Sequence, residues 1–189
     1  ENADPRSFAR APLDEAVERM VRILRTERPQ VVLTYPDDQS GYPHPDHLRV
    51  HEVTMAALPV AADADAYPDA GDPWEVSKVY WSVWSRARMD AIHQAFIDHR
   101  LESPFDERWL DRESQDHRIT TRVPVDGLYH VRAGALRAHA TQIDPTSPFW
   151  FGLPEEVLAG LHPHDDFIRA VSTVDSPLPE DDLFAGVTG

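Results

Sequence analysis

Cysteine is absent from the 189 residues. With it go a disulfide scaffold, a thiolate nucleophile and any thiolate metal site, so a bound metal would have to rest on histidine and carboxylate groups. This fits a cytoplasmic protein. Positive charge is scarce: 18 Lys and Arg stand against 33 Asp and Glu, for a formal net charge of −15. Such a surface repels phosphate backbones and anionic headgroups, so neither nucleic acid nor membrane is the expected partner and a small molecule is. Lysine is nearly missing, and Lys78, the only one, reads as codon bias and not as a binding feature. No apolar segment approaches the roughly 20 residues needed to cross a bilayer, and no charged start runs into an apolar stretch as in a signal peptide. The chain reads as soluble. A glycine-rich phosphate loop and a G-x-S-x-G elbow are lacking too, which removes support for nucleotide-dependent and serine-nucleophile chemistry.

What is present is one domain's worth of alternating helix and strand signals. Residues 1–11 are polar and aperiodic and offer no core face. From Pro12, Leu13, Val17, Met20, Val21 and Leu24 form one apolar stripe, with Asp14 and Glu15 at the positive end of the dipole, so a helix is expected up to Arg28 and Pro29. Val31 to Thr34 is a short β-branched run with no helical period, a buried strand. A polar loop follows to Pro43, and Pro43 and Pro45 keep the residues before them extended. A second helix opens near Asp46, which suits the cap, with Leu48, Val50, Val53, Ala56 and Leu58 as its apolar positions. Beyond an acidic loop (62–73), strands are expected over 76–84 and, at a sheet edge because of Pro124, over 119–125. Helices are expected over 86–100 and 128–143. Residues 101–118 read as a surface loop with one turn of helix, and the stretch after Asp144-Pro145 holds short helices at best.

The chemistry concentrates where the first strand ends, the edge at which open α/β sheets bind ligands. Tyr42, His44 and Asp46 are displayed on extended backbone, and His47 falls in the first helical turn. Because Pro45 interrupts the run, His44 and His47 point to different jobs. His47 and His51 are spaced i, i+4, a familiar metal-ligand pairing. Two readings stand: both ligate, or His47 ligates while His51 packs or faces water. A neighbouring unbound histidine can then serve as acid or electrostatic stabiliser in attack on a carbonyl, with Asp46 as the carboxylate that orients it. His162-Pro163-His164-Asp165-Asp166 is a weaker near-motif with no strand before it. His139 reads as a packed or capping histidine. Trp74, Tyr80, Trp81 and Trp84 suit a core as well as a sugar pocket, and Phe149-Trp150-Phe151 could cover a cleft or bind a partner.

GYPHPDH, followed by a helix with a histidine four residues on, closely resembles the second signature motif of the LmbE-like (PIG-L) zinc N-deacetylase family. FARAPLDEAVERMVRILRTERPQVVLTY, DAGDPWEVSKVYW, LRAHATQIDP and the ending DLFAGV extend the likeness over nearly the whole chain, toward the branch that hydrolyses an amide on the glucosamine–inositol core of mycothiol conjugates. The resemblance implies an α/β, Rossmann-like three-layer fold with a mostly parallel sheet. It implies zinc, with iron(II) as the alternative, and a thiol–sugar conjugate or N-acyl amino sugar as partner. It assigns His47 as a metal ligand, His44 as the histidine that stabilises the tetrahedral intermediate or protonates the leaving amine, Asp46 as its orienting carboxylate, and Tyr42 as an aid at the oxyanion. The family's first motif, Ala-His-Pro-Asp-Asp-Glu, supplies two more ligands and the general base, and this chain lacks it; Pro36-Asp37-Asp38 has Tyr35 where the ligand histidine would stand. Residues 1–189 are therefore expected to be the C-terminal portion of a single domain. About a hundred residues upstream, in the same protein or held as a separate chain, would complete it. The alternatives are an N-acetylglucosaminyl-type deacetylase of the same superfamily and a non-catalytic relative that binds a sugar-like ligand or a partner.

Overall fold

A computed structural model describes residues 4–39 and 41–188; the first three residues of the N-terminal stretch and Ser40 of the polar loop lie outside the described residues. The chain runs α1 (Leu13–Glu27), β1 (Val31–Thr34), α2 (Pro45–Ala62), β2 (Lys78–Val83), α3 (Arg86–Asp98), α4 (Glu107–Leu110), β3 (Thr121–Pro124), α5 (Tyr129–Ala138), α6 (Pro148–Phe151), α7 (Glu155–Leu161) and β4 (His164–Ser172). The stripe expected on α1 is the one it buries: Val17, Val21 and Leu24 pack with Val53, Ala57 and Ala61 of α2 and with Val79 of β2. The face of α2 is rotated from the expected one. Val53, Thr54, Ala57 and Ala61 go inward, while Leu48 stays exposed.

The four strands form one sheet in the order β1-β2-β4-β3. The α2 crossover makes β1 and β2 parallel, with Thr34 opposite Trp81. β4 then inserts antiparallel between β2 and β3. The mostly parallel sheet expected from the resemblance is thus a mixed one, with one parallel pairing out of three. The reason is β4, which lies where only short helices were expected. Its polar start hides a strand period that becomes favourable because two strands flank it and satisfy both of its backbone edges. Pro124 sits on edge strand β3 as expected. Helix α5, expected over 128–143, stops at Ala138, with His139 as its C-cap, five residues short of the expected end.

Side-chain alternation divides the sheet's two faces. Val79 and Trp81 face α1 and α2, and Thr34 bonds Thr54 on that side. Lys78 and Tyr80 face the other way, where both reach the Glu180 carboxylate, at 2.5 and 2.7 Å. Lys78 is therefore no mere mark of codon usage: it is fully buried and ion-paired beneath the C-terminal segment. Leu33, paired with Tyr80 in register and so on this second face, is 52% exposed. At β1 the layer expected over that face is not formed among the described residues. A second core gathers Met89, Ile92 and Phe96 of α3 with Phe105 and Leu153.

The acidic loop after α2 is ordered by one buried cation. Arg25 donates to six carbonyl oxygens, those of Val60, Ala61, Asp63, Ala66, Tyr67 and Gly71. A planar guanidinium suits the C-terminal end of a helix, where carbonyls lack partners and the dipole is negative.

Candidate functional site

Two groups of histidines gather at one edge of the sheet. β1 and β2 are parallel, so their carboxyl ends share that edge. The antiparallel register sets Asp166 beside Val83 and His164 beside Pro124, which brings the start of β4 to the same side.

The first group is the one legible in the sequence. α2 is capped by His44, not by Asp46: its Nδ1 accepts the Asp46 N–H at 3.2 Å, and Pro45 takes the first helical position. An acceptor at Nδ1 places the neutral ring's proton on Nε2, so His44 presents an Nε2–H donor. Asp46 fixes His44 through its main chain. Its carboxylate accepts instead from Ala9 N at 3.1 Å, and Arg49 donates to Ala9 O. The stretch before α1, without a core face in the sequence, is in this way docked on α2 by its backbone.

His47 is half-buried. Its ring stacks on Tyr35 with centroids 4.0 Å apart, and its Nε2 lies 3.1 Å from the Tyr35 hydroxyl. His44 and Tyr42 flank it, at 5.1 and 5.5 Å between centroids. Burial, then the neighbouring His44, pushes the His47 pKa down against the pull of Asp46, a shift that favours the neutral imidazole, the form a ligand takes. Burial, then Tyr42, raises the Tyr35 phenol. His51 does not turn toward His47: its Nδ1 donates to Tyr35 O at 2.8 Å and its ring packs on Trp81. Gln39 ties the loop to α2 through His47 O, yet its Oε1 is buried without a hydrogen-bond partner, as is Trp81 Nε1 nearby. Polar atoms orphaned in this way are uncommon in a folded protein.

The second group is, in the sequence, only a weaker near-motif. His162, His164 and Asp166 bring one donor atom each to within 4.8 Å of one another, a group able to hold a metal ion. The missing signal was the strand itself, because positions i and i+2 of a strand share a face and so align His164 with Asp166. A bridge of polar contacts joins the groups. Arg118 pairs with Asp37 and Gln115 with Asp38, Asp116 accepts the Arg86 N–H, and Ser85, next in line, donates to Asp166 at 2.6 Å. Beside the second group a cavity of about 270 Å³ is walled by Trp84, Phe149 and Trp150 and floored by Arg88, Arg132 and Asp165. Trp84 and the Phe149-Trp150 pair thus line a cleft, whereas Tyr80 is core. His139 is exposed and bonds its own helix's Ala135 O.

Residues 3–58 match the model of the family described as PIG-L: GlcNAc-PI de-N-acetylase. That span holds Tyr42, His44, Asp46 and His47 and ends long before His162. Over 95% of its length the chain is 42% identical to a mycothiol S-conjugate amidase of Streptomyces coelicolor, covering 63% of that protein. Over 98% it is 39% identical to a 1D-myo-inositol 2-acetamido-2-deoxy-alpha-D-glucopyranoside deacetylase of Rhodococcus erythropolis, covering 64%. The chain therefore spans somewhat under two thirds of these curated relatives. Among solved structures, a conserved protein from Thermus thermophilus superposes with a TM-score of 0.49 at 18% identity, over 86% of this chain and 61% of that one. No helix is long and apolar enough to cross a membrane among the described residues.

Proposed function

The chain belongs to the PIG-L (LmbE-like) family, and from that premise we propose that it works in a metal-dependent hydrolase that cleaves an amide on a glucosamine–inositol substrate of the mycothiol-conjugate kind. The observation that carries this reading is the His44–His47 constellation at the carboxyl edge of β1, within the span matched to the family. The relatives named above are an amidase and a deacetylase, both cleaving a C–N bond.

Zinc is the proposed metal, and its fit can be tested against the residues. His47 offers a neutral imidazole, so it suits one ligand position. The only group of three donors among the described residues lies elsewhere, and catalytic zinc takes three protein ligands. The remaining ligands on this reading come from polypeptide outside these 189 residues, and the half-exposed face of β1 at Leu33 is where such a segment would pack. Bound zinc would polarise the carbonyl and ease ionisation of the attacking water.

The chain's own residues supply the rest. Water oxygen bonds to the carbonyl carbon, the C–N bond breaks, and the amine departs with a proton while the acyl group leaves as a carboxylate. His44, held with its proton on Nε2, donates to the developing oxyanion or gives that proton to the departing nitrogen. Tyr42, 58% exposed beside His44, can bring its hydroxyl to the oxygen. Tyr35 holds the His47 ring in place through its hydroxyl and its stacked face. Asp46 is a positioning residue that sets the His44 tautomer.

Turnover by the intact protein of an S-conjugated and an N-acetylated glucosaminyl-inositol separates amidase from deacetylase by their kcat/KM values. His47→Ala is expected to lose activity together with the one equivalent of metal that His47 helps to hold. A protein that carries no zinc or iron and is indifferent to His47→Ala would be a non-catalytic relative, and the reading would fall.

A further inference from the structure

The stretch from His162 to Asp166 begins as a helix cap and becomes a strand. His162, the C-cap of α7, leaves the helical conformation (φ −151°, ψ 85°), and Pro163 carries the chain into β4. The rings of His162 and His164 come within 3.9 Å of each other between centroids. Both aim Nε2 at one carboxylate: His162 Nε2 lies 2.7 Å from Asp166 Oδ2, and His164 Nε2 3.4 Å from Oδ1. Asp166 is only 3% exposed, and its Oδ1, directed into the cluster, has no hydrogen-bond partner. Oδ2 is fixed from behind by the Ser85 hydroxyl. Arg122 Nε, 3.4 Å from Oδ1, pairs with it by charge without a hydrogen bond, which leaves a buried carboxylate oxygen short of the partners that burial normally demands. Two imidazoles and a carboxylate are a borderline donor set that suits zinc and its neighbours, and a serine behind the carboxylate is the outer-sphere support such ligands have.

We propose that His162, His164 and Asp166 form a second divalent transition-metal site of the zinc class, separate from the His47 ligand and set in the wall of the aromatic cavity. Three protein donors leave a further coordination position, as in zinc sites that bind a small molecule. The cavity, which His162 lines, gives that molecule room beside Trp84 and Phe149. One group competes with the ion. Arg122 Nε lies 3.4 Å from Asp166 Oδ1, but it projects from the edge strand with its side chain 54% exposed, so it can turn into solvent when a metal arrives.

The test is a calorimetric titration of the metal-free protein with zinc sulfate, repeated by cobalt absorption to report nitrogen and oxygen coordination. His164 is partly exposed, so His164→Ala should keep the fold, checked by circular dichroism. It is expected to weaken one equivalent of zinc by about 100-fold, the upper end of what even outer-sphere changes cause. His162→Gln should do the same, and Arg122→Gln should tighten that equivalent several-fold by removing the competing cation. His47→Ala should leave it in place, which distinguishes this site from the hydrolase reading. Zinc bound with wild-type affinity and stoichiometry in both His164→Ala and His162→Gln, or an intact protein that takes up no zinc dependent on these residues, overturns the proposal.

Discussion

Replacing Glu180 by glutamine keeps the shape of the side chain and removes its charge from the most heavily bonded carboxylate among the described residues. Lys78, Tyr80, Thr121, Arg169 and Ser176 all donate to it, at 2.5 to 3.1 Å. The two members of the ion pair are not equivalent. Lys78 is fully buried, and among the described residues Glu180 is the carboxylate it pairs with. Glu180 without Lys78 would still hold Arg169 and three hydroxyls. Glu180→Gln therefore strands an ammonium in the interior and is expected to cost about 3–5 kcal/mol. Lys78→Met leaves a carboxylate that is still paired and bonded, at about 1–3 kcal/mol. The double variant should recover part of the sum, because the stranded charge is gone. At about 2–4 °C per kcal/mol for a chain of this size, Glu180→Gln lowers Tm by roughly 6–20 °C. Urea unfolding followed by tryptophan fluorescence reads all three. A Lys78→Met variant as damaged as Glu180→Gln, or a Glu180→Gln cost below about 1 kcal/mol, would refute the asymmetry.

The same carboxylate sets an acid limit: burial pushes its pKa up, but the bonds from Lys78, Ser176, Tyr80 and Thr121 prevail and hold it at about 2, below its ordinary 4.5. A depressed carboxylate contributes stability in full above 4.5 and loses it as pH falls toward 2, so the urea midpoint should drop across that window and drop less in Glu180→Gln. Arg25→Met is expected to cost about 3–5 kcal/mol by orphaning a buried set of carbonyls. Limited proteolysis should then cut the 63–72 loop, and Arg25→Lys should not rescue it because an ammonium cannot fork; a loop that stays resistant in Arg25→Met would remove the cation's role. His44→Ala should lower turnover by roughly 10²-fold or more with metal content unchanged; unaltered kcat would take His44 out of the mechanism.

Tyr42, His44, Asp46 and His47 were legible as a group because six consecutive residues, two of them prolines, have little freedom to scatter. Their local roles were less legible. Asp46 was the better cap by propensity, yet Pro45 at the first helical position puts His44 at the cap, and the docking of Ala9 then claims the Asp46 carboxylate. His162, His164 and Asp166 were readable as letters but not as a cluster, because their convergence needs a strand, and the strand needs neighbours.

Periodicity and breakers within a dozen residues determined α1, β1, α3 and the edge position of β3. These elements depend on how one short segment partitions between water and a core, which residue order alone encodes. Tertiary structure alone decided that β4 would run antiparallel between β2 and β3, that Lys78 would meet a carboxylate 102 positions away, and that Arg25 would hold a loop it never neighbours in sequence. Each of those outcomes turns on desolvating a polar group, and whether that is tolerable depends on which partner the rest of the chain brings to the same place.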